Sequence, residues 1–235
     1  LVQPLAAIVV GLLVGSAAIV IAGGSIGETY AEMWKGAFGS FYFFTSTLAR
    51  ATPIMLVAVG ASLAFRTGFF NLGAEGQMVL GGLSAALVGL YMPGPGWLVC
   101  IAALTAGILA GGLYSGLAGW MDHRFGVNLL ISTLLLNYIA SLFASYLVTH
   151  PFKDRTGSAA MSQTEMVGRD VWLPKLFDGM AVHAGLILAL AAAFVVAVFL
   201  NRSVLGYEFR MLGGNPLFAV YGGIRRGALM LGAMA

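Results

Sequence analysis

Three observations predict an all-α fold, a polytopic bundle of transmembrane helices. Hydrophobic residues make up 60% of the 235-residue chain and charged residues only 9%. A water-soluble domain carries about 25% charged residues, so this chain lacks the polar surface to cover a globule of its size. Its apolar residues also fall into long runs separated by short polar patches, and a helix needs about 20 apolar residues to cross a bilayer. Finally, many of the basic residues sit at the ends of those runs.

The first predicted span is 4–22, read as a span rather than a signal peptide because no cleavage pattern and polar mature domain follow it. Ala7, Gly11 and Gly15 give it small residues at the spacing that lets helices approach closely. A polar segment with Glu28, Glu32 and Lys35 leads to the aromatic cluster Phe41 to Phe44, suited to a membrane–water boundary. The second span is predicted at 52–66, with Thr52 as a hydroxyl cap and Pro53 at the first helical position. A glycine-rich stretch from Gly68 to Gly76 separates it from a short third run at 77–91.

Pro93-Gly94-Pro95-Gly96 marks a turn, and the fourth span covers 97–120. Within it Gly107, Gly111, Ser115 and Gly119 recur every four residues, so they share one helix face open to another backbone. Asp122, His123 and Arg124 read as a loop, followed by a fifth span at 127–148. The stretch 149–182 is long, polar and charge-balanced; the sixth span is 183–200. A basic loop at 201–223 precedes a seventh, incomplete run at 224–235. The chain opens on Leu1 rather than Met and its last run stops at Ala235, so residues are expected beyond both ends.

The formal charge of +3 and pI near 9.2 come from scattered residues, which argues against nucleic acid as a partner. Arg66, Arg124, Arg202, Arg210, Arg225 and Arg226 can all lie on one side. The positive-inside rule makes that side cytoplasmic, with a cytoplasmic amino terminus and an extracytoplasmic loop 149–182. Cys100 is the single cysteine, so no intramolecular disulfide forms, and no Cys/His cluster has metal-ligand spacing. His123, His150 and His183 each fall near the end of a different span. The sequence has no phosphate-binding G-x-x-x-x-G-K-[ST] loop and no H-E-x-x-H zinc motif.

Two segments depart from a plain bundle. The first is Phe69-Phe70-Asn71-Leu72-Gly73-Ala74-Glu75-Gly76-Gln77. Short glycine-interrupted runs mark discontinuous helices whose freed backbone groups line a site. A carboxylate at membrane depth costs about 2.5–3.5 kcal/mol, so an intramembrane Glu75 must face protein, water or solute. A plain cytoplasmic loop with Glu75 in water fits the spacing equally well. The second segment runs from Gly206 to Gly223. Asn215 can cap a helix that starts at Pro216, and Gly222 can end it in the left-handed conformation. Its apolar Leu217 and Phe218 require cover, from a partner groove or from lipid. Asn137 and Tyr138 form a polar pair inside the fifth span; a lone amide there generally bonds a neighbouring helix.

The run Ala64-Phe65-Arg66-Thr67-Gly68-Phe69-Phe70-Asn71-Leu72-Gly73-Ala74-Glu75-Gly76-Gln77 closely resembles the A-F-R-x-G-x-F-N-[IL]-G-x-E-G-Q signature of ATP-binding-cassette (ABC) permeases for nucleosides. These belong to a wider group that handles simple sugars and branched-chain amino acids. Val127-Asn128, Ile131 to Leu134 and Leu136 to Ala140 resemble the family's fifth-span motif, and Gly206 to Gly223 its coupling loop. Leu129, where relatives often carry an acid, and Leu217-Phe218, in place of a more polar pair, depart from the pattern.

The resemblance implies an importer permease subunit with a broken helix near its pathway, nucleosides as first-choice solute and a ribose-like sugar as second. It implies Asn71, Glu75, Gln77, Asn137 and Tyr138 along that pathway, and Gly214, Asn215, Pro216, Leu217, Phe218, Tyr221 and Gly222 as the coupling element. It further implies two cytoplasmic ABC ATPases holding ATP and Mg, a second permease, an extracytoplasmic binding protein, and residence in a bacterial inner membrane. No catalytic residue, metal or cofactor is expected on this chain. The rival class is a secondary transporter, for which Glu75 is the one candidate coupling acid.

Overall fold

The computed structural model describes residues 2–155 and 162–234, and ten α-helices form among them. Two compact units are present, Leu1–Ala51 with Lys175–Leu186, and Thr52–Pro174 with Ile187–Ala235. Residues 156–161 of the predicted loop 149–182 lie outside the described residues.

In the first unit α1 (Val2–Ile21) and α2 (Ile26–Phe38) meet at an angle of 117°. The predicted polar segment is therefore a helix, α2, whose Lys35 pairs with Glu32 at 2.7 Å. Tyr30 of α2 donates to the carbonyl of Leu12 at 3.0 Å, and Gly15 leaves room for its hydroxyl. A side chain on Gly11, by contrast, would meet nothing within 4 Å. Lys175 and His183 pair as an isolated antiparallel bridge, and Phe177 packs edge-on against Phe41 at 5.3 Å.

Helix α3 (Phe41–Arg66) corrects the predicted start at Thr52, because Pro53 lies in the helix interior. In water an interior proline breaks a helix by removing one hydrogen bond. The apolar, aromatic residues before it have no water to bond in lipid, so the backbone stays helical through the proline. Thr52 is buried rather than capping an end.

The second unit is organised around α4 (Ala74–Tyr91), which packs on α5 (Gly96–Phe125) and α6 (Leu129–Thr149). The predicted small-residue face of α5 is where this happens. A side chain on Gly81 of α4 would meet the Gly107 carbonyl oxygen at 2.9 Å, so the two backbones touch. Gly111 faces the carbonyl of Gln77, and Gly119 packs against Leu231 and Met234 of α10 (Arg226–Met234). Helix α5 outruns its predicted end: Asp122, His123 and Arg124 form its last turns rather than a loop, and Gly126, at φ 65°, terminates it. Asn128 caps α6 by accepting from the amides of Leu130 and Ile131.

Helix α7 (Gly185–Arg202) is followed at once by α8 (Val204–Gly214) and α9 (Pro216–Tyr221). The predicted loop 201–223 is thus largely helical. Among the described residues four helices, α3, α5, α6 and α7, are each long and apolar enough to cross a membrane, and the bent α1–α2 pair makes five if counted as one span.

Candidate functional site

The break between α3 and α4 is built from local chemistry. Gly68, at φ 81°, ends α3: its amide bonds the carbonyl of Phe65 and the amide of Phe69 that of Ala64. This paired pattern is a Schellman motif, and its left-handed residue favours glycine. Thr67 closes the turn, its hydroxyl donating to the Ala64 carbonyl at 2.6 Å. Phe69 is buried beneath the turn, with the Arg226 guanidinium 5.7 Å over its ring.

Beyond Phe69 the chain is held from α6. Leu72 donates its amide to the Thr133 hydroxyl at 3.3 Å, and its carbonyl accepts from Asn137 Nδ2 at 2.8 Å. Asn137 Oδ1 accepts from the Gly76 amide at 2.9 Å. That amide belongs to the first turn of α4, where no intrahelical partner exists. Gly73, the residue before α4, offers no side-chain cap, so one asparagine on α6 secures both strands of the break. Asn137 lies eight residues past Leu129, about 12 Å along the helix. Helix α4 thus starts against the middle of α6, with residues 67–73 between it and α3.

Asn71 and Gln77 meet at this point. Asn71 Oδ1 accepts from the Gly73 amide at 2.8 Å and from Gln77 Nε2 at 3.2 Å, while its Nδ2 reaches Ser115 Oγ at 3.5 Å. All three side chains line a cleft of about 520 Å³ between α3, α4, α5 and α10. The remaining lining is apolar or glycine, with no charged residue in it. Clefts of about 300–1,000 Å³ with few polar groups suit small neutral molecules.

The other predicted pathway residues fall elsewhere. Glu75 is exposed in the first turn of α4 and does not line the cleft. Asn137 is occupied by backbone, and Tyr138 is 71% exposed. Ser115 and Thr133, beyond the predicted site residues, join the break from stretches the sequence marks, the α5 stripe and the α6 motif.

The segment predicted to couple is a two-helix unit. Ser203 caps α8 through the Gly206 amide, at 2.9 Å, and Asn215 Oδ1 caps α9 through the Phe218 amide, at 3.0 Å, with Pro216 at its first position. The cap is as predicted, but the left-handed residue is Gly223 (φ 85°) rather than Gly222 (φ −74°). Gly223 N–H bonds the Val220 carbonyl and Ile224 N–H that of Ala219, a second Schellman motif. Ala219 is buried in one apolar cluster with Phe209, Leu212, Phe69 and Met230. Leu217, Phe218 and Tyr221 project outward, 75%, 61% and 91% exposed.

Residues 43–235 match the family described as the permease component of branched-chain amino acid transport systems. A guanosine ABC transporter permease of Bacillus subtilis is 33% identical over 95% of this chain and 64% of its own length. A glucose ABC transporter permease of Haloferax volcanii is 30% identical over 97% of this chain and 62% of its own. A nucleoside ABC transporter permease of Lactococcus lactis is 28% identical over 94% and 63%. The chain therefore spans a little under two thirds of these curated relatives. No solved structure matches it. With its apolar helices and this match over most of its length, the chain is a multi-pass membrane protein that belongs to the permease-component family of branched-chain amino acid transport systems.

Proposed function

We propose that this chain is the membrane-spanning permease subunit of an ATP-driven importer and carries nucleosides. The observation that carries this reading is the neutral amide cluster of Asn71, Gln77 and Ser115 at the start of a discontinuous helix, facing a cleft with no charged lining residue. Amides and a hydroxyl donate to and accept from the hydroxyls and ring nitrogens of a nucleoside. An amino acid would place its ammonium and carboxylate against groups unable to neutralise either. The kinship to a guanosine and a nucleoside permease supports the same solute class.

In this reading ATP and Mg are held by separate cytoplasmic ATPase chains, against which Leu217, Phe218 and Tyr221 of α9 pack. A second permease and an extracytoplasmic binding protein complete the assembly, in a bacterial inner membrane with the amino terminus inside. The orientation is supported by Arg66, Arg124 and Arg202, which stand in the last turns of α3, α5 and α7. This chain supplies the path and no cofactor.

A simple sugar is the second reading, favoured by the relationship to the glucose permease and by the same neutral cleft. The test is reconstitution of the full-length permease with its ATPase and binding protein in liposomes. Uptake of labelled guanosine and its stimulation of ATP hydrolysis are measured beside ribose and glucose. Guanosine uptake supports the proposal, sugar uptake alone moves the chain to the second reading, and ATP-dependent uptake of none overturns both.

A further inference from the structure

Helix α8 touches the break directly, backbone to backbone. A methyl group on Gly213 would run into the carbonyl oxygen of Arg66, with the carbonyl carbon of Thr67 at 3.2 Å. On the other side of the contact, Gly68 faces the Cα of Gly213 at 3.5 Å. The neighbouring Leu212 is 1% exposed and shares its apolar cluster with Phe69, which closes the same turn. Two turns back along α8, a methyl group on Gly206 would meet the carbonyl of Phe199 and the backbone of Leu200 on α7. Gly206 and Gly213 are seven residues apart, hence on one face of α8. The helix is seated at one end on α7 and at the other on the last residue of α3.

We propose that Gly213 is a positioning residue, the junction through which displacement of α8 and α9 reaches the Asn71–Gln77 cluster. A backbone contact with no intervening side chain has no rotamer to absorb a shift, and packed contacts rearrange discretely rather than stretch. The segment that leaves Gly68 runs only to Leu72 before Thr133 and Asn137 hold it against α6. It is therefore gripped at its start by α8 and at its end by α6, with Asn71 between the grips. Moving α8 relative to α6 must reorient Asn71, and with it the bond to Gln77. The inference rests on the importer reading, because that reading supplies the partner that moves α9.

A glycine outside the machinery gives an internal control. A side chain on Gly36, exposed on α2, would meet nothing within 4 Å. Gly213→Ala and Gly36→Ala are compared in the full transporter, reconstituted with its ATPase and binding protein, by guanosine taken up per ATP hydrolysed. Gly213→Ala is expected to lower that ratio about tenfold, within the roughly 5–150-fold range of site-to-site coupling, while ATP hydrolysis persists. Gly36→Ala is expected to match the wild type. Equal ratios for both variants and wild type would overturn the inference.

Should Gly213→Ala fail to assemble, the wild-type complex decides the matter. Hydrogen–deuterium exchange at residues 67–73 is compared between nucleotide-free and ATP-trapped states. A change there together with α8 is expected; an unchanged 67–73 in a complex that transports overturns the proposal. A wild type that moves no guanosine or sugar on addition of ATP refutes the importer reading instead, so the two failures are distinct.

Discussion

Replacing Asn137 with leucine tests the architecture of the break at its most economical point. The side chain spans the break with two hydrogen bonds, to the Leu72 carbonyl at 2.8 Å and from the Gly76 amide at 2.9 Å. Leucine keeps the same branched skeleton, with methyl groups in place of the amide oxygen and nitrogen, so the polar contacts are lost and no cavity opens. Gly76 then has no intrahelical partner, because it lies in the first turn of α4. Hydrogen bonds between membrane helices average about 0.6 kcal/mol and reach about 1.7. A buried donor or acceptor left bare costs about 1–3 kcal/mol. Two bonds, with the break partly accessible through the cleft, place the local destabilisation at about 1–3 kcal/mol.

The assay is amide exchange resolved across residues 72–77 in detergent or nanodiscs. If the break opens locally, a loss of about 1–3 kcal/mol accelerates exchange about 5–150-fold at Gly76. Protection in the α5 span should stay unchanged, since its contacts with α4 run through Gly81 and Gly107. Unaltered exchange at Gly76 in the Asn137→Leu protein would refute the clamp. Equal acceleration throughout α4 and α5 would refute the claim that its effect is local.

Three further outcomes follow from the geometry. Gly81→Val should destabilise the α4–α5 contact by about 1–3 kcal/mol through overpacking, whereas Gly82→Ala, which meets nothing within 4 Å, should stay within about 0.5 kcal/mol; thermal unfolding in detergent separates them. Asn215→Ala removes the α9 cap, about 1 kcal/mol, and should weaken ATPase association about fivefold in a titration of the reconstituted complex. Glu75→Gln should leave the unfolding temperature within the range of about 0.5 kcal/mol typical of surface changes, because Glu75 is exposed; a large loss would reveal a structural partner for the carboxylate.

Much of this architecture is legible in residue order, and the parts that are not have physical reasons. The α5 stripe from Gly107 to Gly119 was readable because a four-residue period puts small residues on one face, and three of its members receive α4 or α10. The Asn215–Pro216 start of α9 was readable because capping is decided within four residues. Pro53 misled because a proline preceded by threonine looks alike at a helix start and in a membrane helix interior; the surrounding solvent, absent from the local pattern, decides between them. Gly222 and Gly223 are adjacent, and only the two Schellman bonds tell which one turns left-handed.

The site divides along the same line. A break with an amide on each side can be seen in the sequence, but the bonds that tie it to α5 and α6, Asn71 to Ser115, Leu72 to Thr133 and Asn137 to Leu72, join residues 44 to 65 positions apart. Asn71 and Asn137 are the same residue type in equally apolar surroundings, yet their environments differ. Asn137 has its amide nitrogen and oxygen each bonded to backbone, and it does not line the cleft. Asn71 bonds mainly side chains that share the cleft with it, and its bond to Ser115 is the long one at 3.5 Å. A side chain already spent on the backbone holds shape; one bonded loosely to its cleft neighbours can exchange them for an incoming ligand. That difference makes Asn71 the stronger candidate for solute contact and Asn137 the residue that keeps it in place.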